Sequence, residues 1–125
     1  MTENWLVCGT RKKGYKYDDY RSLVFKELTL LLKANRISEP NFKPIIIEGC
    51  CPDSADQYAE QWAKENNIEV LHHPANTGNY LKRNIEMIHK ANVLIAFWDQ
   101  YSYGTAHSIA HATMKSIPTI IIKIK

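Results

Sequence analysis

The regular alternation of short apolar runs with segments of helical spacing is the feature that most constrains how this chain folds. The apolar runs stand at residues 5–8 (WLVC), 44–48 (PIIIE), 68–73 (IEVLHH), 93–97 (VLIAF) and 118–124 (PTIIIKI). Most of them are continuous, which is typical of strands covered on both faces of a sheet. Apolar residues at helical spacing predict helices over about 18–34, from Asp53 or Ser54 to Asn66, and over about 80–91 and 105–116. This order predicts a three-layer α/β domain with about five, mostly parallel strands.

Length, composition and charge agree with one globular domain over residues 1–125. Hydrophobic residues make up 45% of the chain and charged residues 23%, and the formal net charge of +3 favours anionic ligands. Lys and Arg form no long run beyond Arg11-Lys12-Lys13, so a nucleic-acid partner is not predicted. No apolar run approaches the roughly 18 residues of a membrane span, and we expect a first strand near Trp5 to leave no room for a signal peptide.

Cysteines and histidines invite a metal or redox interpretation, which their spacing does not favour. Cys8, Cys50 and Cys51 are odd in number and include no CxxC pair, so we expect free thiols in a reducing cytoplasm. His107 and His111 stand one helical turn apart, a spacing that suits zinc, but no third ligand is obvious. We therefore predict no metal and no cofactor, with His107 facing the ligand and His111 in a structural role.

The segments that follow the strands contain every unusual cluster of residues in the chain. In parallel α/β sheets the ligand binds beyond the carboxyl ends of the strands, which here means residues 9–17, 48–56, 72–80 and 97–105. Gly104-Thr105 opens the fourth helix, where glycine allows close approach, threonine adds a hydroxyl and the first N–H groups lack acceptors. Together they suit a phosphate or carboxylate, or they form an ordinary helix cap.

Charged side chains near the same edge are candidate ligand contacts, each with a plainer alternative. Glu48 is the last residue of one apolar strand, and Asp99 follows another. A carboxylate at such a position accepts hydrogen bonds from ribose hydroxyls, acts as a base, or is simply solvated. Arg83 begins the third helix, where it either pairs with an anion or lies on the surface. The turn at 49–56 either meets a ligand or is an ordinary strand–helix connection. The loop RKKGYKY (11–17) either clamps phosphates and stacks a base or is solvated.

Four motifs in order resemble the SLOG superfamily of Rossmann-like nucleotide-binding domains, and above all its small, single-domain YspA-like branch. That branch has a strand ending in Gly-Ser/Thr-Arg, a Gly-Gly turn with Gly-Ala-Asp before a Trp-Ala helix, a His-Pro loop leading to Arg-Asn, and an AD-x-x-IAF strand before a Gly-Thr helix start. The matching stretches are Gly9-Thr10-Arg11, EGCCPDSADQYAEQWA (48–63), HPANTGNYLKRN (73–84) and ANVLIAFWDQYSYGT (91–105). The chain departs from the pattern with Cys50 and Ser54 in place of glycines and Asn92 in place of the Asp.

Relatives with known chemistry imply a phosphate site that lacks the usual catalytic carboxylate. The cytokinin-activating LOG phosphoribohydrolases, which cleave a base from a nucleoside monophosphate, are similar over Arg83, Met87 and Tyr103-Gly104-Thr105. Their glutamates just after the Gly-Thr pair are replaced here by His107 and Ser108. Nucleoside deoxyribosyltransferases and deoxynucleotide N-hydrolases also place a catalytic glutamate on this helix, and this chain has none between Asp99 and its end.

The resemblance implies a Rossmann-like three-layer α/β/α domain that binds a nucleotide or a nucleotide-derived small molecule, as a sensor or sequestering protein for a signalling nucleotide. The start of the fourth helix would hold a phosphate with support from Arg11 and Arg83. Carboxylates would face the ribose, and Trp98, Tyr101 or Tyr15 would stack the base. The implied ligand contacts are Gly9, Thr10, Arg11, Tyr15, Gly49, Cys50, Ser54, Asp56, Asn76, Arg83, Asn84, Trp98, Asp99, Ser102, Gly104 and Thr105.

Two alternatives to a binding protein stay open at this point. An N-glycosidase or phosphoribohydrolase would use Glu48 or Asp99 to assist departure of the base or to activate water, with His107 as an acid. A DNA-associated module is motivated by the basic residues and tyrosines, since the larger relative DprA binds single-stranded DNA. The resemblance also implies a homodimer or higher homo-oligomer.

Overall fold

A computed structural model describes residues 3–11, 17–75 and 79–124, which form five strands and four helices. The strands are β1 (Asn4–Gly9), β2 (Ile45–Glu48), β3 (Val70–His72), β4 (Val93–Trp98) and β5 (Thr119–Lys123). The helices are α1 (Tyr17–Ser38), α2 (Ala55–Glu65), α3 (Tyr80–Lys90) and α4 (Tyr103–Met114). Strands and helices alternate along the chain, as the apolar runs predicted.

The five strands form one parallel sheet in the order β3-β2-β1-β4-β5. β1 is central and pairs with β2 on one side, Trp5 opposite Ile46, and with β4 on the other, Trp5 opposite Val93. Right-handed crossovers then place α1 and α2 on one face of the sheet and α3 and α4 on the other. The predicted Rossmann-like three-layer architecture is confirmed. Because the strand order reverses at β1, the carboxyl ends of β1 and β4 flank the crevice where such sheets bind ligands.

Two hydrophobic cores, one on each face of the sheet, account for the continuous apolar runs. On β1, Trp5 and Val7 pack into the core shared with α1 and α2, whereas Leu6 packs into the core shared with α3 and α4. The Trp5 ring stacks on Trp62 of α2 with centroids 6.4 Å apart. A central strand that is buried on both faces has no solvent-facing position, so an alternating pattern of polar residues is absent from it.

Three helix boundaries differ by two residues or more from those predicted: the end of α1 and both ends of α4, which finishes at Met114 rather than near residue 116. α1 continues to Ser38 instead of ending near residue 34, with Asn35 Nδ2 donating to Leu31 O at 2.9 Å. α4 begins at Tyr103 rather than at Thr105, with Ser102 as the residue before its first turn. Over the described ranges, no helix combines the length and apolar character needed to cross a membrane.

Candidate functional site

A cavity of about 520 Å³ opens at the carboxyl edge of the sheet. One side of the cavity is formed by the end of β1, the turn after β2 and the first turn of α2. The other side is formed by the first two turns of α3, the loop between β4 and α4, and the first two turns of α4. The cavity therefore lies at the point where the strand order reverses, as expected for this architecture. Its volume is within the roughly 300–1,000 Å³ range of small-molecule sites.

Most of the predicted ligand contacts converge on this cavity. The predicted residues that line it are Gly9, Thr10, Arg11, Asp56, Arg83, Asn84, Asp99, Ser102, Gly104 and Thr105. The predicted residues that the structure describes but places outside the lining are Glu48, Gly49, Cys50, Ser54, Trp98 and His107. Tyr15 and Asn76 lie outside the described residues.

Arg83 is the cationic centre of the cavity, and it is only 6% exposed. Its Nη1 donates to Gly49 O at 2.6 Å, and its Nε donates to Asn84 Oδ1 at 3.0 Å. Its Nη2 makes a weak contact with Cys51 Sγ at 3.7 Å. In the part of the chain that the structure describes, no carboxylate lies within 4.0 Å of the guanidinium. Asp56, in the same cavity wall, interacts with the Arg83 charge from beyond this distance. A buried guanidinium that no carboxylate contacts directly favours a bound anion.

The first turn of α4 presents backbone N–H groups to the same cavity. The first intrahelical bond runs from Ala106 N to Ser102 O at 3.1 Å, so the N–H groups of residues 103–105 precede the hydrogen-bonded ladder. The Ser102 side chain does not cap them, and the turn contains no acidic residue. A Cβ added to Gly104 would meet no atom within 4 Å. The positive end of the helix thus faces open space across from Arg83, which suits a bound anion.

Thr10, Asp99 and Ser102 form a hydrogen-bonded network that fixes the loop between β4 and α4. Thr10 Oγ1 accepts from Asp99 N at 3.0 Å and from Ser102 Oγ at 2.9 Å. Asp99 Oδ1 accepts from Tyr101 N and Ser102 N, both at 2.8 Å. Burial raises the pKa of Asp99, but these N–H and hydroxyl donors outweigh it and hold the pKa below its ordinary value. Asp99 is therefore an ionised acceptor at the cavity wall.

Asp56, in the first turn of α2, is a buried carboxyl group in the cavity wall. Its Oδ2 accepts from Gly49 N at 3.0 Å and from Cys51 N at 3.4 Å. Burial, followed by the negative charge of Glu48, raises its pKa from 3.8 to about 6, although those N–H groups and the Arg83 charge act in the opposite direction. A group of this kind exchanges its proton close to neutral pH.

The raised pKa of Asp56 makes the stability of the protein depend on pH. Between its ordinary pKa and about 6 the folded protein binds more protons than the unfolded chain, so the stability contributed by protonated Asp56 is lost as pH rises through this window. Asp56→Asn removes the titration and keeps an oxygen for the two N–H donors. We expect the stability of Asp56→Asn relative to wild type to rise by up to about 3 kcal/mol between about pH 4 and pH 7. Urea unfolding at both pH values measures this difference, and a pH-independent difference would contradict it.

Glu48 ends β2 at the carboxyl edge of the sheet, as predicted, but it is not among the residues that line the cavity. Its side chain is fully buried, and Glu48 and His72 are register partners on the neighbouring strands β2 and β3. Glu48 Oε1 lies 2.6 Å from His72 Nδ1, and Oε2 accepts from Cys50 N at 2.6 Å. Both carboxylate oxygens are thus engaged by neighbours at the β2–β3 side of the edge.

His107, which was predicted to face the ligand, is also not among the residues that line the cavity. Thr105 and Ser108 line the cavity from the same helix, and the helical rotation turns His107 toward another side. The ring centroids of His107 and His111 are 4.4 Å apart. Burial, followed by the proximity of His111, lowers the pKa of His107, so this imidazole is neutral at pH 7.

Six further residues line the cavity that the sequence analysis did not assign as ligand contacts: Cys8, Cys51, Tyr80, Met87, Tyr103 and Ser108. Met87, Tyr103 and Ser108 among them belong to the stretches compared with the phosphoribohydrolases. Tyr80 and Tyr103 are the first residues of α3 and α4, and both side chains are largely exposed at the cavity. Their position at the start of helices that face the carboxyl edge was the signal available in the sequence. These two tyrosines, and not Trp98, are the aromatic side chains in the cavity lining. The Trp98 ring instead donates from Nε1 to Ser102 O at 3.1 Å.

The comparisons with known proteins support the fold. No protein-family model matches the chain, and no curated protein matches it. The X-ray structure of the structural-genomics target TM1055 is similar with a TM-score of 0.72 and 14% sequence identity, covering 94% of this chain and 72% of that one. This similarity agrees with the Rossmann-like α/β architecture, and at this identity it speaks to the fold alone.

Proposed function

We propose that the cavity binds a nucleotide or a nucleotide-derived small molecule, and that the protein acts as a sensor or sequestering protein for it. The observation that carries this proposal is the buried guanidinium of Arg83, which has no carboxylate within 4.0 Å among the described residues and shares its cavity with the first turn of α4. Two independent sources of positive potential act on one small volume. A phosphate group is the anion that both of them suit.

The other walls of the cavity suit the remaining parts of a nucleotide. Asp99 is an ionised acceptor in the wall, and Asp56 holds or releases a proton near neutral pH, so both are suited to ribose hydroxyls. Tyr80 and Tyr103 offer aromatic faces at the opening, with 50% and 77% of their surfaces exposed. Stacking of a base on such faces contributes about 1–3 kcal/mol and tolerates different bases.

Membership of the SLOG superfamily is part of this proposal. It rests on the order of the four sequence motifs, and the Rossmann-like fold agrees with it. A homodimer or higher homo-oligomer remains a prediction from the same resemblance, and light scattering of the purified protein measures it.

A nucleotide N-glycosidase or phosphoribohydrolase is the second candidate function, and Asp56 is the observation that favours it. A carboxyl group with a pKa of about 6 inside a cavity is suited to general acid–base catalysis. Of the residues first considered for this chemistry, Asp99 lines the cavity whereas Glu48 and His107 do not. A hydrolase would therefore rely on Asp56 and Asp99.

Native mass spectrometry of the freshly purified protein distinguishes the two functions. We expect a bound nucleotide-type molecule that is released intact on denaturation. The protein is then incubated at high concentration with a panel of nucleoside mono-, di- and triphosphates, and the products are separated by chromatography. Release of free base would establish the hydrolase instead. An empty protein that neither binds nor cleaves any member of the panel would refute both functions.

A further inference from the structure

Three metal-ligating side chains meet beside the cavity, at the carboxyl ends of β2 and β3. They are Glu48, Cys50 and His72. Glu48 Oε1 lies 2.6 Å from His72 Nδ1, Cys50 Sγ lies 3.4 Å from Glu48 Oε1, and Cys50 Sγ lies 3.5 Å from His72 Nδ1. The three donor atoms therefore form a closed triangle around one point.

The arrangement of Glu48, Cys50 and His72 differs from the one that activates a nucleophile. In a relay of thiol, imidazole and carboxylate, the thiol contacts one ring nitrogen and the carboxylate contacts the other. Here Cys50 Sγ and Glu48 Oε1 both approach Nδ1 of His72. The cluster is poorly suited to nucleophilic catalysis and better suited to chelation.

We propose that Glu48 Oε1, Cys50 Sγ and His72 Nδ1 bind a Zn²⁺ ion. Bonds of about 2.3 Å to sulfur and about 2.0 Å to nitrogen or oxygen at tetrahedral angles separate sulfur from the other donors by about 3.5 Å. The two sulfur distances in the triangle match this value. The shorter separation between Glu48 and His72 belongs to the metal-free pair, and it opens to about 3.3 Å around the ion.

The donor set selects zinc over the hard cations. Thiolate and imidazole are ligands that zinc favours and that Mg²⁺ and Ca²⁺ do not. Coordination requires Cys50 to lose its proton and His72 to have a free Nδ1, and the displaced protons pass to solvent. The side chains of Cys50 and His72 are exposed, which gives the ion an entry path and leaves water as the fourth ligand. The two negative charges of Cys50 thiolate and buried Glu48 balance the ion.

The surroundings of the triangle support the same assignment. Glu60 Oε1 lies 3.8 Å from Nε2 of His72, on the side of the ring opposite the metal donor. This separation exceeds a hydrogen bond, and the same oxygen lies 3.1 Å from Lys64 Nζ. A shortening of about 1 Å on metal binding would allow Glu60 to accept from the His72 ring and orient it, as carboxylates do in many zinc sites. Cys50 also adopts a φ of 61°, a left-handed conformation that favours glycine, and its N–H donates to Glu48 Oε2 at 2.6 Å. This turn directs a thiol toward a carboxylate and an imidazole.

Cobalt and zinc titrations of the metal-free, full-length protein test the proposal. We expect one Co²⁺ per chain with a thiolate-to-cobalt charge-transfer band, and displacement of that band by Zn²⁺. Cys50→Ser should remove the band, and Cys50→Ser and His72→Ala should each weaken Zn²⁺ binding by at least about 100-fold in competition with a chromophoric chelator. Glu60→Gln should weaken it by roughly 10-fold. Cys51→Ser is the matched control and should retain both the band and the affinity.

The outcomes that would overturn the zinc site are distinct from those that bear on nucleotide binding. Absence of the band in wild type, or its persistence in Cys50→Ser, would overturn the site. So would zinc binding that is lost in His107→Ala and kept in His72→Ala, because the metal would then belong to α4. Circular dichroism of each variant confirms that it folds, which the exposure of Cys50 and His72 favours. Two independent ligand variants keep the test decisive if one of them does not fold.

Discussion

Replacing Arg83 with glutamine is expected to weaken nucleotide binding by roughly 30- to 1,000-fold. Loss of one partner from a buried, hydrogen-bonded charge pair costs about 2–4 kcal/mol, which corresponds to that range in Kd. Glutamine retains an N–H donor for the Gly49 carbonyl, which now accepts from Arg83 Nη1 at 2.6 Å. The charge that faces the anion is the main property removed.

The same substitution should have a small effect on stability, and this separates a ligand-binding role from a structural one. In the ligand-free protein the buried guanidinium lacks a counter-ion within 4.0 Å among the described residues, so its removal relieves a cost that offsets the lost hydrogen bonds. We expect the free energy of unfolding to change by less than about 1 kcal/mol. A variant that loses several kcal/mol of stability would identify Arg83 as a structural residue.

Isothermal titration calorimetry with the molecule identified by mass spectrometry, or with nucleoside monophosphates as probes, measures the change in affinity. Arg21→Gln is the matched control, because Arg21 is a partly exposed arginine on α1 whose ion pair with Glu65 spans 3.8 Å. Arg21 Nε also donates to Gln61 Oε1 at 3.1 Å, and its guanidinium lies 4.1 Å from the centre of the Phe25 ring. Arg21→Gln should leave the affinity unchanged and lower the stability by no more than about 1 kcal/mol. Equal losses of affinity in both variants would show that net charge, rather than the cavity, governs binding.

The sheet and most of the cavity wall were predictable because they depend on local patterns. A strand buried on both faces is continuously apolar, and parallel strands send all their following loops to one edge. Gly9 ends β1, Thr10 follows it, and Asp99 follows β4. These two strands flank the point of reversal, so the place of the three residues at the cavity follows from topology. Arg83 was found because it opens a helix after one of those loops.

The other predicted site residues that the structure describes lie outside the cavity lining, because the directions of their side chains depend on contacts with residues distant in sequence. Glu48 turns toward His72 because the two are register partners across β2 and β3, a pairing that no local pattern specifies. The close approach of Glu48, Cys50 and His72 was not predicted, for the same reason. His107 was expected at the ligand because it would lie in the first turn of a helix that begins at Thr105. α4 begins at Tyr103, so His107 lies one turn further along, and the helical rotation turns it away from the face that Thr105 and Ser108 present to the cavity.

Two glycines at the cavity should respond in opposite ways to substitution by alanine, and Gly9→Ala has the largest expected effect on stability. A Cβ at Gly9 would lie 2.7 Å from Tyr20 Oη, 2.8 Å from Ala55 Cβ and 2.8 Å from Phe97 O. These atoms belong to α1, α2 and the backbone of β4, so relief of the clash requires whole elements to move. We expect a loss of about 3 kcal/mol and a fall of roughly 10 °C in Tm.

Gly104→Ala is the matched comparison, since a Cβ there would meet no atom within 4 Å. Alanine favours a helix over glycine by about 0.5–1 kcal/mol, so this variant should be as stable as wild type or slightly more stable. It should still bind nucleotide more weakly, because the added methyl group occupies the space in front of the N–H groups of α4. Thermal unfolding and calorimetry of the two variants measure both effects. A Gly104→Ala variant with wild-type affinity would remove the start of α4 from the anion site and leave the cationic side chains of Arg83 and Arg11, both of which line the cavity, as its support among the described residues.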